Sequence, residues 1–225
     1  MKIDNILDNS NKNKVVLFDL DGTLIDSVLD ITDAMNKMLL NRGYNEITIA
    51  EMQSFLGAHA KEIVRLSIKK EIPDSELEEC LEEYQRNYIG SGYPKTTTFD
   101  QIPEVLAVIK ERGYRFGAVS NKPKEELEPL KDLLDRLGLE EVLGLSGEIP
   151  PKPNPYGARM VMEKLGGKED ITYFVGDGET DVMTALNANM NCVAVLWGNR
   201  NQEFLEKYGA KVFAKKPTDL LDVIK

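Results

Sequence analysis

The apolar positions of this chain follow two rhythms. Between Ser27 and Ile89 they recur at three- and four-residue spacing. Val28, Ile31, Met35, Met38 and Leu39 fall on one helical face, and Leu77, Leu81, Tyr84 and Tyr88 on another. Outside that stretch, short unbroken runs take turns with helical ones. Val15-Val16-Leu17-Phe18 is continuous, as a strand buried on both faces of a parallel sheet would be.

The first rhythm predicts about four helices. Ser27 caps one that runs to Asn41, and Arg42-Gly43 ends it. Thr48 caps a short one to Phe55, with Gly57 after it. A third covers Ala60 to Lys70, with Ile63 and Leu66 inward and Ser67 beside them. Pro73-Asp74-Ser75 opens the fourth. No strand pattern interrupts them, so a small helical bundle is expected. Met35 and Met38 read as core, and Gly90 to Thr96 as the return hinge.

From Ile102 the second rhythm takes over. PEVLAVIKERG is a helix, Tyr114 to Val119 a strand, Lys124 to Leu137 a helix and Val142 to Leu145 a strand. YGARMVMEKLG is a helix, Ile171 to Val175 a strand, Thr180 to Ala188 a helix and Cys192 to Leu196 a strand. Glu203 to Tyr208, Val212-Phe213 and PTDLLDVIK complete it. Alternation of this kind implies βαβ units, and so a doubly wound, Rossmann-like parallel sheet core of the α/β class. The first strand belongs to that sheet, which makes the helical stretch an insertion. The expected division is a loose leader over 1–13, a core over 14–26 and 93–225, and an α-helical cap over 27–92. Both ends of the cap return to the rim where strand one ends, as a lid on hinges would.

Composition narrows the function. The formal net charge is -10 and the pI about 4.8, so nucleic acid is not an expected partner. No segment has the length of a membrane span, and MKIDNILDNSNKNK is too polar for a signal peptide. The two cysteines, Cys80 and Cys192, sit far apart outside any CxxC pattern and suit a reducing cytoplasm. His59 is the single histidine, which leaves carboxylates and lysines to carry the chemistry. Oligomeric state stays open.

Four strand-end clusters stand out. Strand one ends in Asp19, followed by Asp21 and Gly22-Thr23. The strand to Val119 is followed by Ser120-Asn121-Lys122. Lys152 sits in the loop PPKPNP. The strand to Val175 leads into Gly176-Asp177-Gly178-Glu179-Thr180-Asp181. Each has an ordinary alternative. Asp-Gly between apolar runs is a hairpin signal, with Thr23-Leu24-Ile25 as return strand. Ser120 to Pro123 reads as a polar turn, and Lys152 as a solvated residue. GDGETD resembles a calcium-loop fragment. In a doubly wound sheet, however, all four lie on one rim, where such folds bind ligands. Paired acids there call for a cation.

The four clusters resemble the four motifs of the haloacid dehalogenase superfamily of phosphohydrolases. DLDGT covers Asp19 to Thr23, the serine is Ser120, the lysine is Lys152, and GDxxxD covers Gly176 to Asp181. SNKP, KPNP and VLWG further resemble its phosphoglycolate phosphatase-like branch. Gly178, where the branch often has Ser, and Asn189, where it often has Gly, depart from that pattern. The resemblance covers nearly the whole chain, from Lys14 to about Gly198.

That resemblance implies a Mg²⁺-dependent phosphatase acting on a small phosphorylated metabolite through an aspartyl-phosphate. Asp19 would be the nucleophile and Asp21 the general acid and base. Mg²⁺ would be held by the Asp19 carboxylate, the Asp21 carbonyl and Asp177. Gly22, Ser120, Asn121 and Lys152 would bind the phosphate, with Asp181 behind them. Asp21 also speaks against halide chemistry, since a halide leaves without a proton. The stretch Phe55 to Glu62 is expected to face the site, with His59 or Lys61 as possible substrate contacts. Leu24 to Ser27 becomes the flexible start of the cap linker, and Trp197 a packing residue. A β-phosphoglucomutase-like phosphotransferase, a phosphonatase using Lys61 and a non-enzymatic receiver-like module are the competing readings.

Overall fold

Strand β1 (Val15–Phe18) is fully buried along all four residues, in keeping with its unbroken apolar run. Its side chains alternate between the two faces of a sheet. Val16 and Phe18 enter one apolar cluster, and Val15 and Leu17 the other. At roughly 1.5–3 kcal/mol for each such side chain fully buried, this short strand contributes to the packing on both faces of the sheet. The structure, a computed structural model, describes residues 14–225. The leader expected over 1–13 lies outside the described residues.

Strand β1 lies inside a six-stranded sheet. The other five strands are β4 (Arg115–Pro123), β5 (Leu139–Leu145), β6 (Tyr173–Gly176), β7 (Asn191–Val195) and β8 (Phe213–Ala214), and the order across the sheet is β5-β4-β1-β6-β7-β8. All pairings within it are parallel. From β1 the chain first builds outward through β4 and β5, then crosses to β6 on the other side. The reversal of strand order at β1 brings the carboxyl ends of β1, β4 and β6 together on one rim. Between these strands run α5 (Ile102–Glu111), α6 (Lys131–Arg136), α7 (Tyr156–Lys164), α8 (Glu179–Asn187) and α9 (Gln202–Lys207), and α10 (Leu220–Val223) closes the chain. Gly117 in β4 lets α7 lie close to the sheet, because a Cβ there would meet Val161 and Leu165.

Between β1 and β4 come α1 (Val28–Asn41), α2 (Ile49–Phe55), α3 (Ala60–Ile68) and α4 (Asp74–Ser91). The periodicity predicts these four helices closely. Thr48 and Glu51 form the capping box at the start of α2. Met35 and Met38 are fully buried, in the same apolar cluster as Phe18 of the sheet and Tyr88 of α4. Among the described residues, no helix is long and apolar enough to cross a membrane.

Several expectations need correction. Leu24 to Ser27 is not a flexible linker. Ile25–Asp26 forms β2 and pairs antiparallel with β3 (Thr97–Thr98), so a two-stranded ribbon ties both ends of the helical insertion together. The partner lies about seventy residues away, beyond the reach of local pattern. The expected return hinge is also held: Tyr93 is buried, stacks on Tyr88 with ring centroids 4.1 Å apart, and donates its hydroxyl to the Glu126 carbonyl at 3.0 Å. Ser27 makes no side-chain cap for α1; its hydroxyl donates to Asp21 instead.

Leu66 is 40% exposed, while Val64 and Ser67 turn inward on α3. The helix expected over Lys124 to Leu137 breaks into two 3-10 turns, Lys124–Glu126 and Glu128–Leu130, before α6. Pro129 has no N–H for an α-helical bond, which disfavours a continuous helix there. Strand β5 begins earlier than expected, at Leu139. Strand β6 begins later, after a 3-10 turn over Glu169–Ile171 that leaves Ile171 exposed.

Candidate active site

The end of β1 is fixed from both sides. The Asp19 N–H donates to the Val175 carbonyl of β6 at 2.9 Å. One residue on, the Leu20 carbonyl accepts from Thr23, Leu24 and Ile25, and Gly22 adopts a φ of 85° to complete this tight turn. Gly22 does not line the cavity described below. It lies against Asp177, where any Cβ would collide with the carboxylate. The Trp197 indole N–H donates to the Thr23 carbonyl at 3.0 Å, so this residue braces the turn as well as packing.

Asp19, Asp177 and Asp181 converge, with carboxylate oxygens that all lie within 4.8 Å of one another. All three are buried. Lys152, also buried, reaches into the group with Nζ 2.7 Å from Asp19 Oδ1 and 2.6 Å from Asp181 Oδ1. Burial drives the Asp19 carboxyl well above its ordinary range, and Asp181 adds to that against the pull of Lys152. Burial and then Asp181 push the Asp177 carboxyl up to about 6, although Asn199 partly offsets the rise. Burial works to lower the Lys152 ammonium, but Asp181 and Asp19 override it, and its pKa lies above the usual value.

Three carboxylates and one ammonium leave a buried excess of negative charge. Such a group fits a hard divalent cation with oxygen ligands. The protein already occupies some of the oxygens. Asp181 accepts from Lys152 and, on Oδ2, from the Gly178 N–H at 2.9 Å. Asp177 Oδ2 accepts from the Asn199 N–H at 2.7 Å and its side-chain amide at 2.9 Å. Asp177 Oδ1 has only a long contact, 3.4 Å, from the Thr23 hydroxyl.

Strand β4 delivers Ser120, Asn121 and Lys122, all buried. The Ser120 hydroxyl oxygen accepts from the Lys122 N–H at 3.1 Å. Asn121 Oδ1 accepts the Lys152 N–H at 2.8 Å, and its Nδ2 donates to the Gly57 carbonyl at 3.1 Å. The loop carrying Lys152 and the loop after α2 are therefore both fastened to one side chain.

The structure brings Asp19, Asp21, Ser120, Asn121 and Lys152 to a single cavity of about 40 Å³, with the loop after α2 and Tyr84 of α4 across from them. His59 and Lys61 do not line it. His59 stands exposed at the start of α3, and Lys61 pairs with Glu78 at 2.5 Å. The loop does face the site, but through Leu56, Gly57 and Ala58.

Three further groups of residues join the site. Lys122 Nζ lies 3.3 Å from Asp21 Oδ1, 3.7 Å from Glu126 Oε2 and 3.0 Å from the Tyr88 hydroxyl. Burial opposes its charge, but Asp21, Tyr88 and Glu126 hold its pKa above the usual value. Asn199 positions Asp177. Arg200 donates to the carbonyls of Gln53 (2.9 Å), Ser54 (3.1 Å) and Leu56 (3.0 Å) and pairs with Glu179 at 3.1 Å, joining the rim to the end of α2. Lys122 is legible in the sequence as the charged residue of the Ser120-Asn121-Lys122 cluster after the apolar run to Val119. Glu126, Asn199 and Arg200 carry no local signal.

Comparison with known proteins gives a consistent picture. A family model described as haloacid dehalogenase-like hydrolase matches residues 16–195. A phosphoglycolate phosphatase of Aquifex aeolicus is 31% identical over 188 residues, covering 82% of this chain and 85% of that protein. A phosphoglycolate phosphatase of Pseudomonas fluorescens is 29% identical over 216 residues, covering 93% of this chain and 76% of the relative. A solved structure from Lactobacillus delbrueckii subsp. bulgaricus, provisionally named a phosphoglycolate phosphatase, superposes with a TM-score of 0.84 at 27% identity, covering 94% of this chain and 98% of the other. A haloacid dehalogenase-like family protein of Streptococcus pneumoniae shares the fold with a TM-score of 0.84 at 20% identity, covering 95% and 99%.

Proposed function

The chain belongs to the haloacid dehalogenase-like hydrolases, and on that premise we propose that it is a Mg²⁺-dependent phosphatase of small phosphomonoesters working through an aspartyl-phosphate. The observation that carries this reading is the buried meeting of Asp19, Asp177 and Asp181 around Lys152, with Asp21 two residues past Asp19. The segment 27–92 serves as the cap, and 14–26 with 93–225 as the catalytic core.

Asp19 attacks phosphorus. An oxygen–phosphorus bond forms on its carboxylate as the ester bond breaks, and Asp21 gives its proton to the departing alkoxide. Asp21 then takes a proton from the water that attacks the aspartyl-phosphate. Phosphate leaves and Asp19 is regenerated. Lys152 and the Ser120 hydroxyl bind the phosphoryl oxygens, and Asn121 holds the Lys152 loop in place. Asp181, with both oxygens engaged, aims Lys152.

Asp19, the Asp21 carbonyl and Asp177 would hold Mg²⁺, and the excess of buried carboxylate fits such an ion. When bound, it would reduce the repulsion between the anionic nucleophile and the anionic substrate. The small phosphate ester and this cation are the partners proposed. A reducing cytoplasm suits the free thiols of Cys80 and Cys192.

Phosphoglycolate is the first substrate to assay, since the relatives bear its name. Phosphate release should require Mg²⁺, stop with a chelator and fall at least about a thousandfold in Asp19→Asn. Retained turnover in that variant defeats the reading. Incubation with a hexose 1-phosphate should yield free phosphate rather than an isomerised sugar phosphate.

A further inference from the structure

The phosphate end of the cavity uses Asp19, Ser120 and Lys152. The other end holds a second charged pair, Lys122 and Glu126, that the phosphoryl chemistry does not use. Both are buried, at 7% and 2% exposure. Lys122 Nζ is 3.3 Å from Asp21 Oδ1, so an ester oxygen protonated by Asp21 would lie beside it. Glu126 Oε2 faces Lys122 at 3.7 Å and the Gln85 side chain also approaches the carboxylate, but Glu126 Oε1 is buried with no hydrogen bond of ordinary geometry. A buried carboxylate oxygen that lacks a hydrogen bond, on a residue that lines the cavity, marks a place for a donor.

The charges at this end select the group. Lys122 and Glu126 offset each other, and Asp21, which carries the proton for the leaving group, adds no net charge at that step. A second anion on the substrate would meet Lys122 but be opposed by Glu126. An ammonium would meet Glu126 but be opposed by Lys122. A hydroxyl satisfies both, accepting from Nζ and donating to Oε1. Tyr84 and Ile63 add apolar surface to the lining beside this pair, which suits a short leaving group.

We propose that Lys122 and Glu126 read a neutral hydroxyl just beyond the ester oxygen, making short hydroxylated phosphomonoesters better substrates than carboxylated ones. This rests on the phosphatase reading above and narrows it.

Four esters built on the same two-carbon chain test the proposal: 2-hydroxyethyl phosphate, 2-phosphoglycolate, phosphoethanolamine and, lacking any terminal group, ethyl phosphate, each assayed with Mg²⁺. The hydroxyethyl ester should have the highest kcat/KM, by about tenfold or more. The same order is expected in Kd values measured by calorimetry on Asp19→Asn. In Glu126→Gln, the preference over 2-phosphoglycolate should shrink roughly tenfold, and Glu126→Met should shrink it at least as far. A wild-type enzyme that turns over 2-phosphoglycolate as well as the hydroxyethyl ester overturns the proposal, even if neither variant folds. So does a preference unchanged in both folded variants. Absence of Mg²⁺-dependent phosphate release from all four esters defeats the phosphatase reading as well, whereas a flat or carboxylate-first ranking defeats only the specificity.

Discussion

The Asn121 side chain grips the main chain of Lys152 on both sides of its Cα. The Lys152 N–H donates to Asn121 Oδ1 at 2.8 Å, and Asn121 Nδ2 donates back to the Lys152 carbonyl at 3.3 Å. The same amide reaches the Gly57 carbonyl at 3.1 Å. Replacing Asn121 by Ala leaves a buried N–H unpaired, at a cost of about 1–3 kcal/mol. Asn121→Ala should lower Tm by about 3–8 °C in differential scanning calorimetry. It should also lower kcat/KM by roughly 10–100-fold, because Lys152 loses its fixed approach to Asp19.

Arg200 is the corresponding tie on the other side. Its three hydrogen bonds to the carbonyls of Gln53, Ser54 and Leu56 hold the wall of the cavity from the core. A lysine cannot reproduce the fork. Arg200→Lys and Arg200→Ala should both raise KM, by roughly tenfold, with a smaller change in kcat. Hydrogen exchange should quicken over 53–58 and stay unchanged in β1.

The rim tolerates no added atoms behind Asp177. A Cβ at Gly198 would run into the Gly22 carbonyl and the Asp177 side chain. Gly198→Ala must therefore displace either the turn after Asp19 or the carboxylate itself. Activity should fall about a hundredfold or more, with weakened Mg²⁺ affinity measured by titration calorimetry. Gly147→Ala, where nothing lies within 4 Å, is the matched control and should leave both unchanged.

The Asp177 carboxyl, raised to about 6 by burial and by Asp181, makes the metal-free chain sensitive to pH. A raised carboxyl means that the folded chain binds this proton more tightly than the unfolded one. Its favourable contribution is full below the ordinary value and is lost as pH rises through about 6. The Tm of chelator-treated protein should thus rise as pH is lowered from about 7.5 to about 5.5. Mg²⁺ competes with the proton, so saturating metal should flatten or invert that trend. Its apparent affinity should weaken about tenfold per unit below pH 6.

The sheet and the placement of the four clusters were legible because each rests on a local pattern. Val15 to Phe18 is too continuous for a half-exposed strand, and the acids after it need a rim. The helices from Ser27 to Ile89 were legible from spacing alone. Partners far along the chain were not. Ile25 gives no sign that it pairs with Thr98, nor Arg200 that it seeks carbonyls at 53–56. Tyr84 and Tyr88 share the spacing of core positions, and they are core. The same spacing conceals that α4 also presents Tyr84 to the cavity and the Tyr88 hydroxyl to Lys122. Pro129 is a local signal for the irregular connection: a proline inside an apolar repeat marks the break between the turns over 124–130 and α6.

Trp197 is the chain's only tryptophan, and its indole N–H is bonded to the carbonyl of Thr23. The one strongly fluorescent side chain is thereby attached to the turn that carries Asp21 and Gly22. Emission excited near 295 nm reports on that turn without an introduced dye. Cation or phosphate binding at the rim becomes visible as a change in the colour or yield of the protein's own light.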